Sequence, residues 1–287
     1  MRVAHLIIVH KNPAQLLRLL KRLEHPNFDL FVHVDKKISI LDFELLKKEV
    51  DFTFIEHRTT CHWGGNSFIE SIITSLREIL SSGKHYDFIN LISGQDYPLM
   101  PPEKMLEYFQ ANRGINFISY DDSRNSKWWE SARSRYEKYH LTDQSFRGKY
   151  IVQTFLNTFL PKRKFNHFRK LWGGSKSSWW TITSPCAKLL VETMINNRKL
   201  NQFLKYTWGN DEFIVATIIM NSKFKDVTQN ENLRYIDWSE QNANPKILRL
   251  TDIQALEESK MMFARKFDIV VDTDILTLID RKLLGIQ

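Results

Sequence analysis

The sequence predicts an α/β protein with a mostly parallel central sheet, and three observations carry that prediction. The first sixty residues alternate strand, helix, strand, helix, strand, the order that feeds parallel strands through crossover helices. Two apolar strand-like runs, FDLFVHVDKK and FINLISGQD, end in an acidic residue, as strands do where a parallel sheet presents polar groups at its carboxyl edge. The 287 residues, 43% hydrophobic and 26% charged, are enough for one substantial core, without an internal repeat or low-complexity tract. A single domain carrying an insertion is expected.

Along the chain, RVAHLIIV (residues 2–9) predicts a buried strand, and Asn12-Pro13 predicts the opening of a helix running to about residue 24. The second strand runs to Asp35, and the loop Asp35-Lys36-Lys37 is either a ligand-holding edge or a solvated turn. The amphipathic segment ILDFELLKKE precedes a third short strand, DFTFIEH. In residues 61–80 a Gly64-Gly65 turn leads to a helix capped by Asn66 or Ser67, with apolar spacing at Phe68, Ile72, Ile73, Leu76 and Ile79. FINLIS is a buried strand, GQDYP reads as a turn holding Asp96, and Pro101-Pro102 opens the next helix. Residues 121–172 are rich in Arg, Lys and aromatics and read as a helical insertion. GGSKSSWWTIT then leads into a strand whose Trp179 and Trp180 point to opposite faces. Residues 233–250 read as strand, polar loop and strand.

Composition excludes several classes of protein. Cys61 and Cys186 are the only cysteines, too few for a disulfide framework or a thiolate zinc site, and consistent with a reducing cytoplasm. No apolar run has the length of a membrane span. Neither glycine-rich phosphate motif is present. The formal charge of +8 and a pI near 9.3 favour acidic partners without choosing among nucleotides, nucleic acid and anionic membrane. Eight tryptophans exceed what a core of this size requires and suit a cleft that stacks on sugars or flat ligands.

The stretch WGNDEFIVATIIMNS (residues 208–222) concentrates the chemistry. Asn210 suits a helix cap, Phe213 to Met220 form an apolar helix, and Asp211 and Glu212 fall in its first turn. There the dipole would keep a carboxylate ionised and able to accept a proton, or the pair simply stabilises the helix; the stretch by itself leaves both open.

The Asp35 loop, HWGGNSF, SGQDYPL, SSWW, WGNDEF, LRYIDWS and MMFARKFD occur in one order from about residue 3 to about residue 280. In that order they resemble the core 2/I-branching β-1,6-N-acetylglucosaminyltransferases and peptide O-xylosyltransferases of glycosyltransferase family 14. The likeness is weakest over residues 121–172. It implies a GT-A-like, Rossmann-type fold. Residues 1–120 would form a nucleotide-binding half, 121–172 a helical basic insertion, and 173–287 an acceptor and catalytic half. It further implies an inverting transfer from a UDP-sugar, most readily UDP-N-acetylglucosamine, with UDP-xylose as the alternative; a non-catalytic glycan-binding protein on the same fold is a further reading. Glu212 takes the position of the family's base, with Asp211 its neighbour and rival. Arg265 and Lys266, helped by Lys246 or Arg249, would neutralise the diphosphate, while Asp35 and Asp96 would serve the uridine and ribose side. Trp180 and Trp238 would stack on sugar. Similarity to the family also implies no metal: the only Asp-x-Asp is Asp272-Thr273-Asp274, read here as loop or capping residues.

The absence of an anchor and stem from the sequence suggests a bacterial-type member at the cytoplasmic face of the membrane. Its acceptor would be a glycan or lipid-linked oligosaccharide, and nucleic acid is not an expected partner. Basic residues of the insertion, Lys162, Arg163 and Lys164 among them, would hold it near anionic lipid.

Overall fold

The computed structural model describes residues 1–124 and 126–286. Its first part runs β1 (Val3–Val9), α1 (Pro13–Lys21), β2 (Phe28–Val34), α2 (Leu41–Glu44) extended by a 3-10 turn, β3 (Thr53–Phe54), α3 (Asn66–Leu80), β4 (Phe88–Ser93), β5 (Asp96–Pro98), α4 (Pro102–Ala111) and β6 (Asn116–Ile118). The middle holds β7 (Asp121–Asp122), α5 (Lys127–Glu137), α6 (Lys149–Phe159) and β8 (Trp172–Gly173). There follow β9 (Trp180–Thr183), α7 (Ser184–Asn196), α8 (Arg198–Leu204), a 3-10 turn over Asn210–Glu212, α9 (Ile214–Met220), β10 (Thr228–Gln229), β11 (Arg234–Ile236), α10 (Ile253–Ser259), β12 (Phe263–Arg265) and α11 (Asp274–Lys282).

The central sheet has seven strands in the order β10-β6-β9-β4-β1-β2-β3. Only β9 runs against its neighbours, β4 and β6, so the sheet is mostly parallel, as predicted. Each long strand is mostly apolar and buried almost throughout because both faces are covered. Alternation still sorts its side chains: Ala4, Leu6 and Ile8 of β1 join the core beneath α3, α7 and α9, while Val3, Ile7 and Val9 join the core beneath α1, α4 and α11. The result is a three-layer α/β/α body. From β1 the chain moves to β2 on one side and later to β4 on the other, so the carboxyl ends of these three strands flank a switch point, where parallel sheets open a crevice.

Four local expectations change. GQDYP is not a free turn: Asp96–Pro98 form β5, antiparallel to β12, in a second sheet ordered β11-β12-β5. Residues 247–250 form no strand; Lys246 to Leu250 lead into a short 3-10 turn. The acidic pair does not open the apolar helix either. Asn210 turns inward to donate to Asn66 Oδ1 at 2.7 Å instead of capping, and Asp211 and Glu212 stand on the separate turn ahead of α9. Neither Asn66 nor Ser67 caps α3: Gly65 holds the cap position, and the Ser67 hydroxyl donates to Asp143 at 2.6 Å.

Candidate active site

A cleft of about 1390 Å³ lies at the switch point. Its floor is the carboxyl edge of the sheet, with Val9, His10 and Lys11 after β1, Asp35 and Lys37 after β2, and Ser93 and Gln95 after β4. One wall comes from α5 and the turn before α9; another from Ile236, Trp238 and the loop 241–245 after β11, together with Arg265 and Lys266 at the end of β12. Its size exceeds the usual ~300–1,000 Å³ of a single-ligand pocket and leaves room for two substrates side by side.

The acidic pair lines this cleft with each carboxylate differently held. Asp211 accepts a 2.6 Å hydrogen bond from the Ser178 hydroxyl, and burial raises its pKa. Glu212 accepts a 2.6 Å charge-assisted bond from Arg135 Nη1. Burial, then the neighbouring Asp211 charge, push Glu212 up to about 7 against the opposing pull of Arg135. The expected dipole-held ionisation is therefore corrected: with the pair off the helix, desolvation governs the charge.

Backbone contacts fix the position of Glu212. Its carbonyl accepts from Gly174 N at 2.9 Å, and a Cβ at Gly173 would lie 2.4 Å from that oxygen, so β8 can pass here only as glycine. Gly209, in the left-handed region at φ 59°, lets Arg135 lie against the turn, where a Cβ would meet Nη1 at 2.5 Å. The Arg135 guanidinium sits between the indoles of Trp128 and Trp208, 5.0 and 4.5 Å from their ring centres.

Positive charge also gathers in the cleft. Lys266 lines the cleft with its pKa lowered by burial and then by Arg265 and Lys11. Arg265 lies over the Trp179 ring at 4.0 Å and has Asp96 3.9 Å behind it. The Phe267 N–H bond to Gln95 O, 2.8 Å, and the Leu248 N–H bond to Lys266 O, 2.9 Å, lock this strand end. Lys11 is paired with Asp268 at 2.5 Å.

The sequence-nominated residues divide. Glu212, Asp211, Asp35, Arg265, Lys266 and Trp238 all line the cleft. Asp35 accepts from the backbone N–H groups of Lys37 and Cys61 and lies 3.4 Å from Lys37 Nζ. Asp96 is fully buried behind Arg265, accepting from Ser93 N at 2.7 Å and from the Ser93 hydroxyl, and does not reach the cleft. Lys246 is paired with Asp252 at 2.6 Å and Arg249 is exposed beyond it, so neither adds a third charge to the cleft. The tryptophan assignment is reversed. Trp180 is fully buried in the core, in register with Ile118 of β6, and its neighbour Trp179 lines the cleft.

Sequence reasoning missed Arg135, Trp128, Ser178 and His10. Arg135 is one of many basic residues in a segment read as an insertion, and only its aromatic neighbours and the fold distinguish it. Asp272 Oδ1 accepts from the Asp274 and Ile275 N–H groups at 2.9 and 3.1 Å, a cap at the start of α11. Among the described residues no three His, Cys, Asp or Glu side chains converge as metal ligands.

Comparison with known proteins supplies the family. The chain is 25% identical over 308 residues to human Xylosyltransferase 2 and 24% identical over 294 residues to Drosophila melanogaster Xylosyltransferase oxt, covering 99% and 94% of this chain. It spans only about a third of their length, 34% and 32%. Among solved structures it is similar to apo mouse Xyloside xylosyltransferase 1, with a TM-score of 0.41, 9% identity and coverage of 92% of this chain and 96% of that one. It is also similar to the WbbM bifunctional glycosyltransferase, with a TM-score of 0.39, 14% identity and coverage of 92% and 45%. The Core-2/I-Branching enzyme family matches residues 3–262, so the chain belongs to that family.

Proposed function

We propose that this chain is an inverting, metal-independent glycosyltransferase on a GT-A-like framework that moves a sugar from a UDP donor to a hydroxyl of an acceptor glycan. The observation that carries the reading is Glu212, a carboxylate raised to about 7 in a cleft that Arg265 and Lys266 also line. A base poised near neutrality takes a proton efficiently at neutral pH. Glu212 accepts the proton of the acceptor hydroxyl as that oxygen bonds to the anomeric carbon. The anomeric carbon–oxygen bond to UDP breaks on the opposite face, and the electron pair leaves with the diphosphate. Arg265 and Lys266 meet the charge that develops there, the task a divalent ion performs in other transferases.

Asp35 serves the uridine and ribose side. Trp238 and Trp179 are the aromatic surfaces available to sugar, and Asp211, restrained by Ser178, shapes the acceptor subsite. N-acetylglucosamine is the sugar the motifs favour, and xylose is the second reading because the relatives are named xylosyltransferases. The acceptor proposed is a cell-surface or lipid-linked glycan assembled against a membrane.

The test is turnover of a panel of UDP-sugars with EDTA present, for wild type and Glu212→Gln. One donor consumed by wild type in EDTA, with loss of ~10²–10⁴-fold in the variant and retained UDP binding, is expected for removal of a general base. Undiminished turnover in Glu212→Gln would sink the assignment. Turnover abolished by EDTA would overturn the metal-independent chemistry.

A further inference from the structure

Helix α6 is amphipathic in the reverse sense from a helix packed on a globular core. Two of its polar side chains face the protein: Gln153 Oε1 accepts from Leu141 N at 2.8 Å, and Asn157 both accepts from Tyr139 N at 2.7 Å and donates to Tyr139 O at 2.8 Å. Its apolar side chains face outward. Ile151, Phe155 and Phe159, four residues apart on one stripe, are 78, 60 and 69% exposed, Tyr150 beside them is 65% exposed, and no residue of the helix is buried. A surface helix ordinarily turns such a stripe to the core.

Charge indicates what covers the stripe. The chain holds 41 Lys and Arg against 33 Asp and Glu, but residues 144–191 contain nine of the former and none of the latter. The rest of the molecule, 32 against 33, is close to neutral, so the net charge of +8 belongs to this one segment. Arg147, Lys164 and Arg169 are exposed and form no ion pair among the described residues. A second copy laid on α6 would bring two such cationic segments together, which opposes self-association. An anionic bilayer complements both features: the stripe enters the acyl boundary while the basic side chains reach the headgroups.

We propose that α6 is an interfacial anchor that inserts Ile151, Phe155 and Phe159 into an anionic lipid bilayer, with Arg147, Lys164 and Arg169 at its headgroups. This deepens the membrane contact proposed above and does not depend on the transfer chemistry. The polar contacts at 139–141 tie α6 to the C-terminal end of α5, the helix that carries Arg135 into the cleft, so anchoring sets the cleft beside lipid-borne acceptors. Arg163 is not part of the anchor. Its guanidinium donates to the carbonyls of Lys138, Phe203 and Tyr206 and lies over the Phe203 ring at 3.8 Å, so it is held by the fold and not offered to lipid as the sequence suggested.

The experiment is co-sedimentation of the full chain with phosphatidylcholine vesicles, with and without phosphatidylglycerol, alongside sedimentation velocity and turnover of soluble substrates. Wild type is expected to bind the phosphatidylglycerol vesicles. Combined Ile151→Ser, Phe155→Ser and Phe159→Ser, and separately combined Arg147→Gln, Lys164→Gln and Arg169→Gln, should each weaken that binding by ~10-fold or more. All six positions are exposed and away from the cleft, so soluble turnover should persist; its absence in wild type would count against the transferase reading alone. No binding by wild type overturns the anchor. So does loss of binding in the charge variant only, which would mean surface attraction without insertion. A wild-type dimer that the serine variant converts to monomer would assign the stripe to a second copy instead.

Discussion

Glu212 is subject to two opposed influences whose balance sets its working pH. Burial and Asp211 raise its pKa, and Arg135 lowers it. A base must be deprotonated to act, so kcat/KM should rise with pH along a limb centred at about 7. Arg135→Met removes the one stabilising cation, so the carboxylate becomes harder to ionise and the limb should move to higher pH. A pH profile of the variant with an unmoved limb would assign the titration to another group lining the cleft. The rest of the site was unevenly legible at this scale. Glu212, Asp211, Arg265 and Lys266 could be named because they sit in short ordered motifs. Arg135 could not, because its meaning comes from Trp208 and Gly209, which reach it from a distant part of the chain and join Trp128, two turns earlier on α5. For Trp179 and Trp180, alternation predicts one inward and one outward side chain but not which is which. That choice is made by β9 pairing with β6, which draws Trp180 opposite Ile118.

At the level of elements, apolar runs and their punctuation announced β1, β2, β4, α3, α4 and α9, because each buries a continuous apolar face. Elements defined by partners were hidden. Asp96–Pro98 looks like a turn until β12 arrives from residues 263–265 to pair with it, and that pairing is what places Arg265 over Asp96. β8 is two residues long, yet it braces the backbone of Glu212. Gly173→Ala would put a Cβ 2.4 Å from Glu212 O and 2.5 Å from Phe213 Cα, backbone atoms with little freedom to yield. Overpacking of this kind costs about 1–3 kcal/mol, and here the strain bears on Glu212, the proposed base. A thermal melt and steady-state kinetics should find a lower Tm together with a fall in kcat larger than any change in KM. A normal kcat with only reduced stability would mean that the turn relaxes without moving its carboxylate.

The whole molecule closes one cleft from several stretches of chain: strand ends before residue 96, the turn into α3, α5 in the middle, and after residue 174 the regions of Trp179, Trp208 and Trp238 with β12. A ligand that spans the cleft therefore bridges all of these segments at once, and its binding should register as global stability. If UDP occupies the cleft at Arg265 and Lys266, concentrations a hundredfold above its dissociation constant add about 2.7 kcal/mol to the folded state, or roughly 4 to 5 °C in Tm for a chain of this length. The shift should persist in EDTA if side-chain cations alone hold the diphosphate, and it should shrink in Lys266→Ala, which removes a cation from the cleft without touching the Arg265–Trp179 contact. Lys246→Ala provides the opposing arm. Its ammonium is committed to Asp252 outside the cleft, so the variant should keep the full UDP-induced shift whatever happens to its own Tm. Equal loss of the shift in both variants would mean that the loop following β11 rearranges on binding and brings Lys246 to the nucleotide after all.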